Sequence, residues 1–403
     1  MSPRLALAPL LAAVALSACA LRPDRAVHPA PLDSAALGLA AAPAPAVSEH
    51  WWAAFADPQL DQLVAQATRD NPSLTDALAR LARARAEALE ARSARQPHVD
   101  ASADIYRERY SADYIYPPPY GGGSYWDSQL GLGLTWNPDF WGRQRDLIHA
   151  SDRSARARQL DARAAELAIE GALVTAYLEL DRSHRLADIN RDAELTRAHM
   201  ADLTQRRMAA GLDTTIDVRY AAAFVPEART DRDQTRVAIE LGVHRIAALT
   251  GQGARAYAQV ARPQLTYSDA LPLPPALPGD LLLRRPDVQA ALARVEAATA
   301  AEDAARLAAY PEINLRAFAG FAALTLSDLL SAPARTYGLG PSVRLPIFDA
   351  GLLRSRLRGA GADLESAVAQ YNATVLSAVR DVADGLTTAD ALGRETRDAE
   401  QRL

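Results

Sequence analysis

The 403-residue chain contains no lysine, one cysteine and few aromatic residues, which make up 6% of the sequence. The lone Cys19 excludes an internal disulfide and a metal cluster built on cysteines. All 44 basic side chains are arginine, and 49 acidic ones outnumber them, so the net charge of −5 gives no indication of nucleic-acid binding. The seven histidines are scattered, and no Gly-x-Ser-x-Gly, His-Glu-x-x-His or phosphate-loop pattern occurs. The sequence therefore predicts no metal site, no cofactor and no enzymatic activity.

The N-terminus has the pattern of a secretory signal. Arg4 precedes an apolar run, Leu5 to Leu16, which is too short to span a bilayer permanently. Leu16-Ser17-Ala18-Cys19 follows, and it resembles the cleavage box of bacterial lipoproteins; the alternative is an ordinary signal peptide with an incidental cysteine. We therefore expect a signal in residues 1–18, acylation of Cys19 and a lipid-anchored, Pro- and Ala-rich linker over residues 19–48.

Two stretches of strand, elbow and helix organise the rest of the chain. The first, Ser128–Arg145, begins with strict alternation of leucine with polar residues or glycine, which predicts a strand with one apolar and one polar face. An elbow from Pro138 to Gly142 and a long helical pattern follow. The second, beginning at Thr336, repeats this order, with an elbow from Pro346 to Gly351.

The spacing of prolines indicates an internal duplication. The interval from Pro72 to Pro286 equals the interval from Pro97 to Pro311, whereas the interval from Pro138 to Pro346 is shorter by six positions. The shortening falls where a hairpin loop is predicted, and loops tolerate such changes. Each copy reads helix–strand–strand–helix. We predict copies at residues 49–251 and 278–403, joined by a linker at 252–277; the alternative is chance similarity between alanine-rich helices.

The predicted strands have the length of membrane-crossing strands. They run from His98 to about Tyr110, Gln129 to Asn137, Ile313 to Phe321 and Thr336 to Leu345, about ten residues each, which cross a bilayer when tilted. Four strands cannot close a barrel in lipid, so at least two chains must share one. The polar faces are predicted to line a lumen: Asp100, Ser102, Asp104, Gln129, Thr135, Asn314 and Arg316. Alternatives are two hairpins of a soluble sheet or, for the two aspartates, acid–base chemistry.

The helices after the elbows are predicted to be long. Ile148 to Met208 contains no strong breaker, which gives about 90 Å of helix. A return helix from Ile216 to Thr250 carries Pro226, where we expect a kink. A coiled-coil seam is predicted at Leu160, Ala164, Leu167, Gly171, Val174 and Leu178, and again at Val368, Val375, Val379, Val382 and Leu386. The turn between the two helices consists of Gly211, Leu212, Asp213, Thr214 and Thr215.

At these residues the chain resembles the outer-membrane efflux protein family, the TolC-like channels, and within it the lipoprotein members paired with resistance-nodulation-division pumps. The matching motifs are Asn71-Pro72-Ser73-Leu74, the first elbow, Leu249-Thr250-Gly251 and above all Leu281-Leu282-Leu283-Arg284-Arg285-Pro286-Asp287-Val288, in which Arg285, Pro286 and Asp287 form the centre. The resemblance covers about Trp51 to Gly385.

The resemblance implies a mainly α protein with membrane β structure. It implies a homotrimer with a twelve-stranded β-barrel, continued by a long α-helical barrel from the outer membrane of a Gram-negative bacterium into the periplasm. The turn at residues 211–215 would meet a periplasmic adaptor protein, itself bound to an inner-membrane pump. The expected function is a passive export duct for drugs or other small molecules. The alternative is a coiled-coil structural or adhesive outer-membrane lipoprotein without a pore.

The sequence departs from the family pattern in two places. Pro226-Glu227 interrupts a helix that is usually smooth in the family, and nothing in the second copy corresponds to Thr196–Gly251 of the first. We therefore expect an incomplete second copy, which would leave the seam of Val375, Val379, Val382 and Leu386 exposed to water.

Overall fold

The computed structural model describes residues 29–32, 48–267 and 284–402. Its helices are α1 (Pro58–Asp70), α2 (Pro72–Ser93), α3 (Arg143–Ala209), α4 (Thr215–Leu249), α5 (Pro286–Leu307) and α6 (Leu352–Glu400). Its strands are β1 (His98–Arg109), β2 (Ser124–Trp136), β3 (Glu312–Ala323) and β4 (Arg335–Arg344). Short 3-10 helices lie at Trp51–Phe55, Gly253–Ala256 and Ala332–Ala334. Within these ranges no helix has the combination of length and hydropathy that crossing a membrane requires.

The helix starts follow from capping side chains that the sequence displays. The Asp57 carboxylate accepts the backbone N–H of Gln59 at 2.9 Å, and Pro58 occupies the first helical position, where no backbone donor is needed. The Asn71 side chain accepts from Ser73 N at 2.8 Å and donates to the Leu249 carbonyl at 2.8 Å. One asparagine therefore begins α2 and also fastens it to the end of α4.

The element boundaries have the same spacing as the prolines from which the duplication is predicted. The interval between the starts of α2 and α5 equals the interval between their ends, and β1 and β3 are separated by this same interval at both ends. Between the ends of β2 and β4 the interval is shorter by six positions, as the prolines predict. The predicted start of β2 at Gln129 is wrong, because the strand begins five residues earlier, at Ser124, which pairs with Arg109 at the far end of β1.

The four strands form one antiparallel sheet in the order β1-β2-β3-β4. Because β2 pairs with β3, the sheet joins the two predicted copies edge to edge. The sheet belongs to a compact unit that comprises residues 29–32, 82–157 and 290–376 of the described chain. The buried helical residues of this unit are mostly alanine, with Val295, Leu364, Val368 and Tyr371 among the larger ones.

The second compact unit comprises residues 48–81, 158–267, 284–289 and 377–402 of the described chain. Its core contains Leu60, Leu173, Tyr177, Leu180 and Ile246, which are all less than 2% exposed. The predicted seam on α3 is only partly correct: Leu160 and Val174 are buried, whereas Leu167 is exposed. Positions seven residues apart do not lie on one straight line along a helix of 3.6 residues per turn, so a strict seven-residue repeat drifts slowly around the helix. The buried residues of α3 do not follow this drift, and Leu167 therefore lies outside the buried stripe.

On α6 the predicted exposure of the second seam is wrong at Val375, which is 4% exposed. Val379, Val382 and Leu386 are half-buried. The helix α4 is continuous through Pro226, so the proline is accommodated without ending the helix, and the expected kink stays a prediction.

Candidate functional site

The register of the sheet brings the seven predicted lumen residues to one face. Asp100 pairs with Gly133, Ser102 with Gly131 and Asp104 with Gln129. Opposed residues of an antiparallel pair share a face, and so do residues two apart on a strand. Thr135 pairs with Arg316, and Asn314 lies two residues before Arg316. All seven therefore belong to one surface, which we call the polar face.

The opposite face of the sheet is apolar. Leu130, Leu132 and Leu134 of β2 pair with Ala103, Ala101 and Val99 of β1. On the other side the same leucines pair with Phe321, Ala319 and Ala317 of β3. Most of these side chains have no covering layer, since Val99, Leu132, Tyr337 and Leu339 are all exposed in the chain. A wide exposed apolar surface of this kind needs an apolar environment.

Several glycines and one aromatic ring also lie on the polar face. In the sequence, the alternation of glycine with leucine was the only sign of them. Phe318 lies opposite Gly133 on one side and Gly338 on the other. A Cβ added at Gly338 would lie 2.5 Å from Cε1 of the Phe318 ring, so the ring covers the space that Gly338 leaves empty. At Gly133 an added Cβ would meet nothing within 4 Å. The polar face is therefore open at Gly133 and filled at Gly338.

The loop between β1 and β2 is organised by tyrosines. The rings of Tyr110 and Tyr116 stack with centroids 4.1 Å apart, and Tyr110 also stacks with Tyr125 at 5.8 Å. The Tyr125 hydroxyl donates to the Pro119 carbonyl at 2.9 Å. These contacts give a proline- and glycine-rich segment a defined conformation at one end of the sheet.

The predicted turn between α3 and α4 is fixed by backbone and side-chain contacts. Gly211 has a φ of +77°, which closes α3, and the Leu212 N–H donates to the Arg207 carbonyl at 2.9 Å. Arg207 pairs with Asp213 through two hydrogen bonds of 2.8 and 3.0 Å. Thr214 and Asp217 form a reciprocal capping box, and the Thr214 hydroxyl and backbone N–H lower the pKa of the Asp217 carboxyl.

The turn also presents apolar side chains that sequence reasoning did not select. Leu212 is 68% exposed, Ile216 is 78% exposed and Tyr220 is 70% exposed. Leu212 belongs to the predicted turn of residues 211–215, whereas Ile216 and Tyr220 lie on the first turns of α4. Their spacing of four residues places these two side chains on one side of the helix.

The family motif has a structural explanation in the second unit. Arg285 Nε and Nη2 donate to the two carboxylate oxygens of Asp287, at 3.1 and 2.8 Å. The same guanidinium reaches Asp381 Oδ2 of α6 at 3.4 Å. Pro286 begins α5 between the two charged residues. Burial alone would raise the pKa of Asp287, but the bonds and charge of Arg285 outweigh it and hold that pKa below its usual value.

Two sequence predictions fall on residues that the structure does not describe. Cys19 and the leucines 281–283 of the family motif lie outside the described ranges. In the described ranges no group of three or more His, Cys, Asp or Glu side chains is placed to hold a metal ion.

The comparisons with known proteins agree on one family. The profile of the family described as "Outer membrane efflux protein" matches residues 63–262 and 277–403. The fusaric acid resistance protein FusA of Burkholderia cepacia is 34% identical over 367 residues, which cover 89% of this chain and 69% of FusA. The outer membrane protein OprJ of Pseudomonas aeruginosa is 31% identical over 398 residues, which cover 98% of this chain and 83% of OprJ.

A solved structure gives the same result. The crystal structure of the outer membrane protein VceC from Vibrio cholerae matches with a TM-score of 0.83 and 30% identity, over 88% of this chain and 84% of VceC. The two-faced sheet and the long paired helices are thus those of an efflux channel subunit in the outer membrane of a Gram-negative bacterium. The chain belongs to the outer membrane efflux protein family.

Proposed function

We propose that three copies of this chain close a twelve-stranded barrel and act as a passive duct for small molecules. The observation that carries the proposal is the register of the sheet, which separates a polar face from an exposed apolar face across four strands. The apolar face contacts lipid, and the polar face, with Asp100, Ser102, Asp104, Gln129, Thr135, Asn314 and Arg316, lines the lumen.

The sheet edges support closure by further copies. The strands β1 and β4 each pair with one neighbour and leave one edge free in the described part of the chain. An unpaired backbone group in hydrocarbon costs several kcal/mol, so edge strands of 12 and 10 residues cannot remain open in a membrane. Pairing β4 of one copy with β1 of the next removes every open edge, and three copies supply twelve strands.

A matched pair of neighbouring substitutions tests the two faces. Leu132→Arg places a charge on the apolar face and is expected to cost about 2–4 kcal/mol near mid-bilayer, which lowers the yield of heat-resistant trimer. Gly131→Arg, one residue away, places the same charge on the polar face and is expected to assemble and to shift ion selectivity toward anions in planar-bilayer recordings. Equal assembly defects in both variants, or trimers that carry no current, would favour the structural stalk over the duct.

The turn at Gly211, Leu212, Asp213, Thr214 and Thr215 is proposed to contact a periplasmic adaptor protein that connects the channel to an inner-membrane pump. A rigid turn that presents exposed Leu212, Ile216 and Tyr220 supports this, because apolar and aromatic side chains dominate binding hot spots. Ile216→Ser with Tyr220→Ser is expected to abolish cross-linking to the adaptor and to leave single-channel conductance unchanged. Leu241→Ser with Val237→Ser, an exposed apolar pair on the same helix, is the matched control.

The cargo is proposed to be small toxic organic molecules. FusA is named for fusaric acid resistance, and another relative, 28% identical over 358 residues, is named as a putative multidrug resistance outer membrane protein of Escherichia coli. Expression in a host that has a pump but lacks its channel should restore tolerance to such compounds. Unchanged sensitivity to every compound, with the protein present in the outer membrane, would contradict an export role.

The chain is also proposed to be anchored by acylated Cys19 ahead of a linker through residue 48. The Leu32 N–H donates to Asn372 Oδ1 at 2.9 Å, so the segment is fastened to α6 about 30 Å from its start at Leu352. The 13 residues from Cys19 to Leu32 can span at most about 45 Å, which is enough to reach the membrane end of α6. Mass spectrometry of the mature N-terminus should find acylated Cys19; an unmodified terminus at another residue would contradict the anchor.

We further propose the division into a signal (1–18), the anchored linker, two copies at 49–251 and 278–403, and a connecting linker at 252–277. The described part of that connection is fastened to the first copy, because Ala261 N donates to Gln59 Oε1 at 2.9 Å and Gln264 N to Asp57 Oδ2 at 2.7 Å. Co-expression of the two copies as separate chains should reconstitute a trimer if the copies are the folding units.

A further inference from the structure

The geometry points to a binding site for the phosphate group of an anionic phospholipid in a cavity between the two elbows. The cavity, which we call the elbow pocket, has a volume of about 340 Å³ and is lined by residues of both elbows, the end of α5 and the first turns of α3 and α6. This volume is in the range of small-ligand pockets, about 300–1,000 Å³. The inference rests on the proposed barrel, whose strands enter the membrane at this point.

The elbow pocket is held open by aromatic contacts. Trp141 Nε1 donates to the Pro311 carbonyl at 2.7 Å, and the Trp141 ring lies 5.4 Å from that of Tyr310. A second tryptophan, Trp136, donates through Nε1 to the Arg95 carbonyl at 3.1 Å. The Trp141 bond joins the first elbow to Pro311, and the Trp136 bond joins the end of β2 to the segment after α2. The pocket wall at Trp141 is therefore fixed by tertiary structure and not by one flexible loop.

The cations of the elbow pocket are not neutralised by its aspartates. Arg143, Arg344 and Arg356 line the pocket, together with the carboxylates of Asp139, Asp349 and Glu312. Glu312 lies opposite Arg344 in the register of β3 and β4, so Arg344 belongs to the polar face and has a carboxylate beside it. Arg143 and Arg356 form no ion pair with a carboxylate of the described residues. Asp139 instead accepts the backbone N–H groups of Gln144 and Arg145, each at 2.8 Å.

Asp349 is engaged in the same way at the second elbow. Its carboxylate accepts from Leu353 N at 2.8 Å and Gly351 N at 2.9 Å, and these bonds lower the pKa of Asp349. Both aspartates therefore compensate helix N-termini, while the guanidinium groups of Arg143 and Arg356 remain available to an anion. Arginine forms bidentate bonds with phosphate, which makes a phosphate group the fitting ligand.

The rim of the elbow pocket identifies the phosphate as that of a lipid. Phe140 is 66% exposed, and Ile347 and Phe348 on the other elbow are 88% and 89% exposed. The strands β2 and β4 end at Trp136 and Arg344, directly before these residues, so the rim lies where the barrel leaves the membrane. Tryptophan and tyrosine favour this interfacial level, and Trp141 and Tyr310 belong to the pocket lining. A free phosphate would leave these apolar side chains in water, whereas a phospholipid covers them with its acyl chains and places its phosphate among the arginines.

The test is lipid retention measured by native mass spectrometry on the whole trimer in detergent, with phosphatidylglycerol and phosphatidylcholine supplied in equal amounts. We expect wild-type trimers to retain phosphatidylglycerol preferentially, and the double variant Arg143→Gln, Arg356→Gln to retain roughly ten times less. The corresponding double Arg→Lys variant, which keeps the charges, should preserve the preference. The matched control, Arg80→Gln with Arg83→Gln, removes two exposed arginines from surface ion pairs and should retain lipid as the wild type does.

Three outcomes would overturn the inference. Equal retention by the pocket variant and the control would remove the site. Displacement of the lipid by inorganic phosphate at the same concentration would show that the pocket takes the free ion. Loss of the trimer in the glutamine variant but not in the control would show that a second copy of the chain fills the pocket. Conductance recorded on the same preparations tests the proposed duct and not the lipid site. A wild-type trimer that does not conduct contradicts the duct, whatever lipid it retains.

Discussion

Replacement of Asp57 by alanine is expected to loosen the junction between the first helix and the segment at residues 261–267. The side chain is 5% exposed and accepts three hydrogen bonds, from Gln59 N at 2.9 Å and from the Tyr177 hydroxyl and Gln264 N at 2.7 Å each. Loss of the N-cap costs about 1 kcal/mol. Two donors left without an acceptor in a buried site cost about 1–3 kcal/mol each. The expected destabilisation is therefore about 3–7 kcal/mol.

A double-mutant cycle separates the buried hydroxyl from the cap. Tyr177→Phe alone should cost about 1–3 kcal/mol, since it removes the donor to Asp57 and the acceptor of the Gln59 side-chain amide but keeps the ring in the core. In the Asp57→Ala background the same change should cost less, because the hydroxyl no longer has an acceptor there. Urea unfolding of the trimer gives the free energies, and hydrogen exchange of the peptide covering residues 261–267 reports the local opening.

An unchanged unfolding midpoint together with unchanged hydrogen exchange at residues 261–267 in Asp57→Ala would contradict this account of the junction. So would free-energy costs of the Asp57 and Tyr177 substitutions that are strictly additive in the double variant. The pH dependence is a further check. Burial alone would raise the pKa of Asp57, but hydrogen bonds from Gln264, Tyr177 and Gln59 outweigh it and lower that pKa below 3.8. The stabilisation is therefore present above pH 3.8 and lost as the pH falls through the lowered value. The alanine variant should lack this part of the acid sensitivity.

Three other substitutions have definite expected outcomes. Glu170→Gln should raise the free energy of unfolding at pH 7 by about 1 kcal/mol, because burial raises the pKa of Glu170 and one of its buried oxygens has no hydrogen-bond partner among the described residues. Unfolding measured at pH 4 and pH 7 should show this gain only at pH 7, and equal gains at both pH values would contradict the prediction. Gly338→Ala should displace the Phe318 ring and change single-channel conductance. The double variant Phe318→Ala with Gly338→Ala should recover a wide pore. Identical currents in all variants would place the ring outside the conducting path. Thr214→Ala should destabilise the turn by about 1 kcal/mol, because the capping box is lost. Faster hydrogen exchange at residues 211–217 would report this loss. Unchanged exchange would show that Asp217 stabilises the turn without the Thr214 hydroxyl.

Much of the fold was predictable because prolines, glycines and capping side chains mark element ends locally. Pro72 and Pro286 gave the offset of the duplicated helices, and the alternation after Gln129 gave a strand with correct faces. The start of β2 was missed because Ser128 lies on the apolar face and interrupts the alternation. It is fully buried, and its hydroxyl turns to the Trp126 carbonyl at 3.4 Å, so a polar residue occupies an apolar position without an exposed polar group.

The elbow pocket was not predictable, because it depends on contacts between distant parts of the chain. Arg143 and Arg356 belong to different copies of the duplicated unit, and neither has a local pattern that marks it as a ligand. The predicted seam on α3 is wrong at Leu167 for a related reason. When several neighbouring helices pack against one helix, those neighbours determine which of its residues are buried. The exposure of Leu167 could therefore not be identified from its heptad position alone.

The glycines of the polar face bear on how the channel can change by mutation. In the proposed threefold barrel each substitution would appear three times at one height, so a single codon change would add three side chains to the same ring of the passage. At Gly133 and Gly340 an added Cβ meets nothing within 4 Å, and such a ring can narrow without disturbing the fold. At Gly320 a Cβ would collide with the backbone carbonyl of Leu130, so that height is fixed. The size limit for cargo can therefore be adjusted by mutation at some levels of the barrel and not at others.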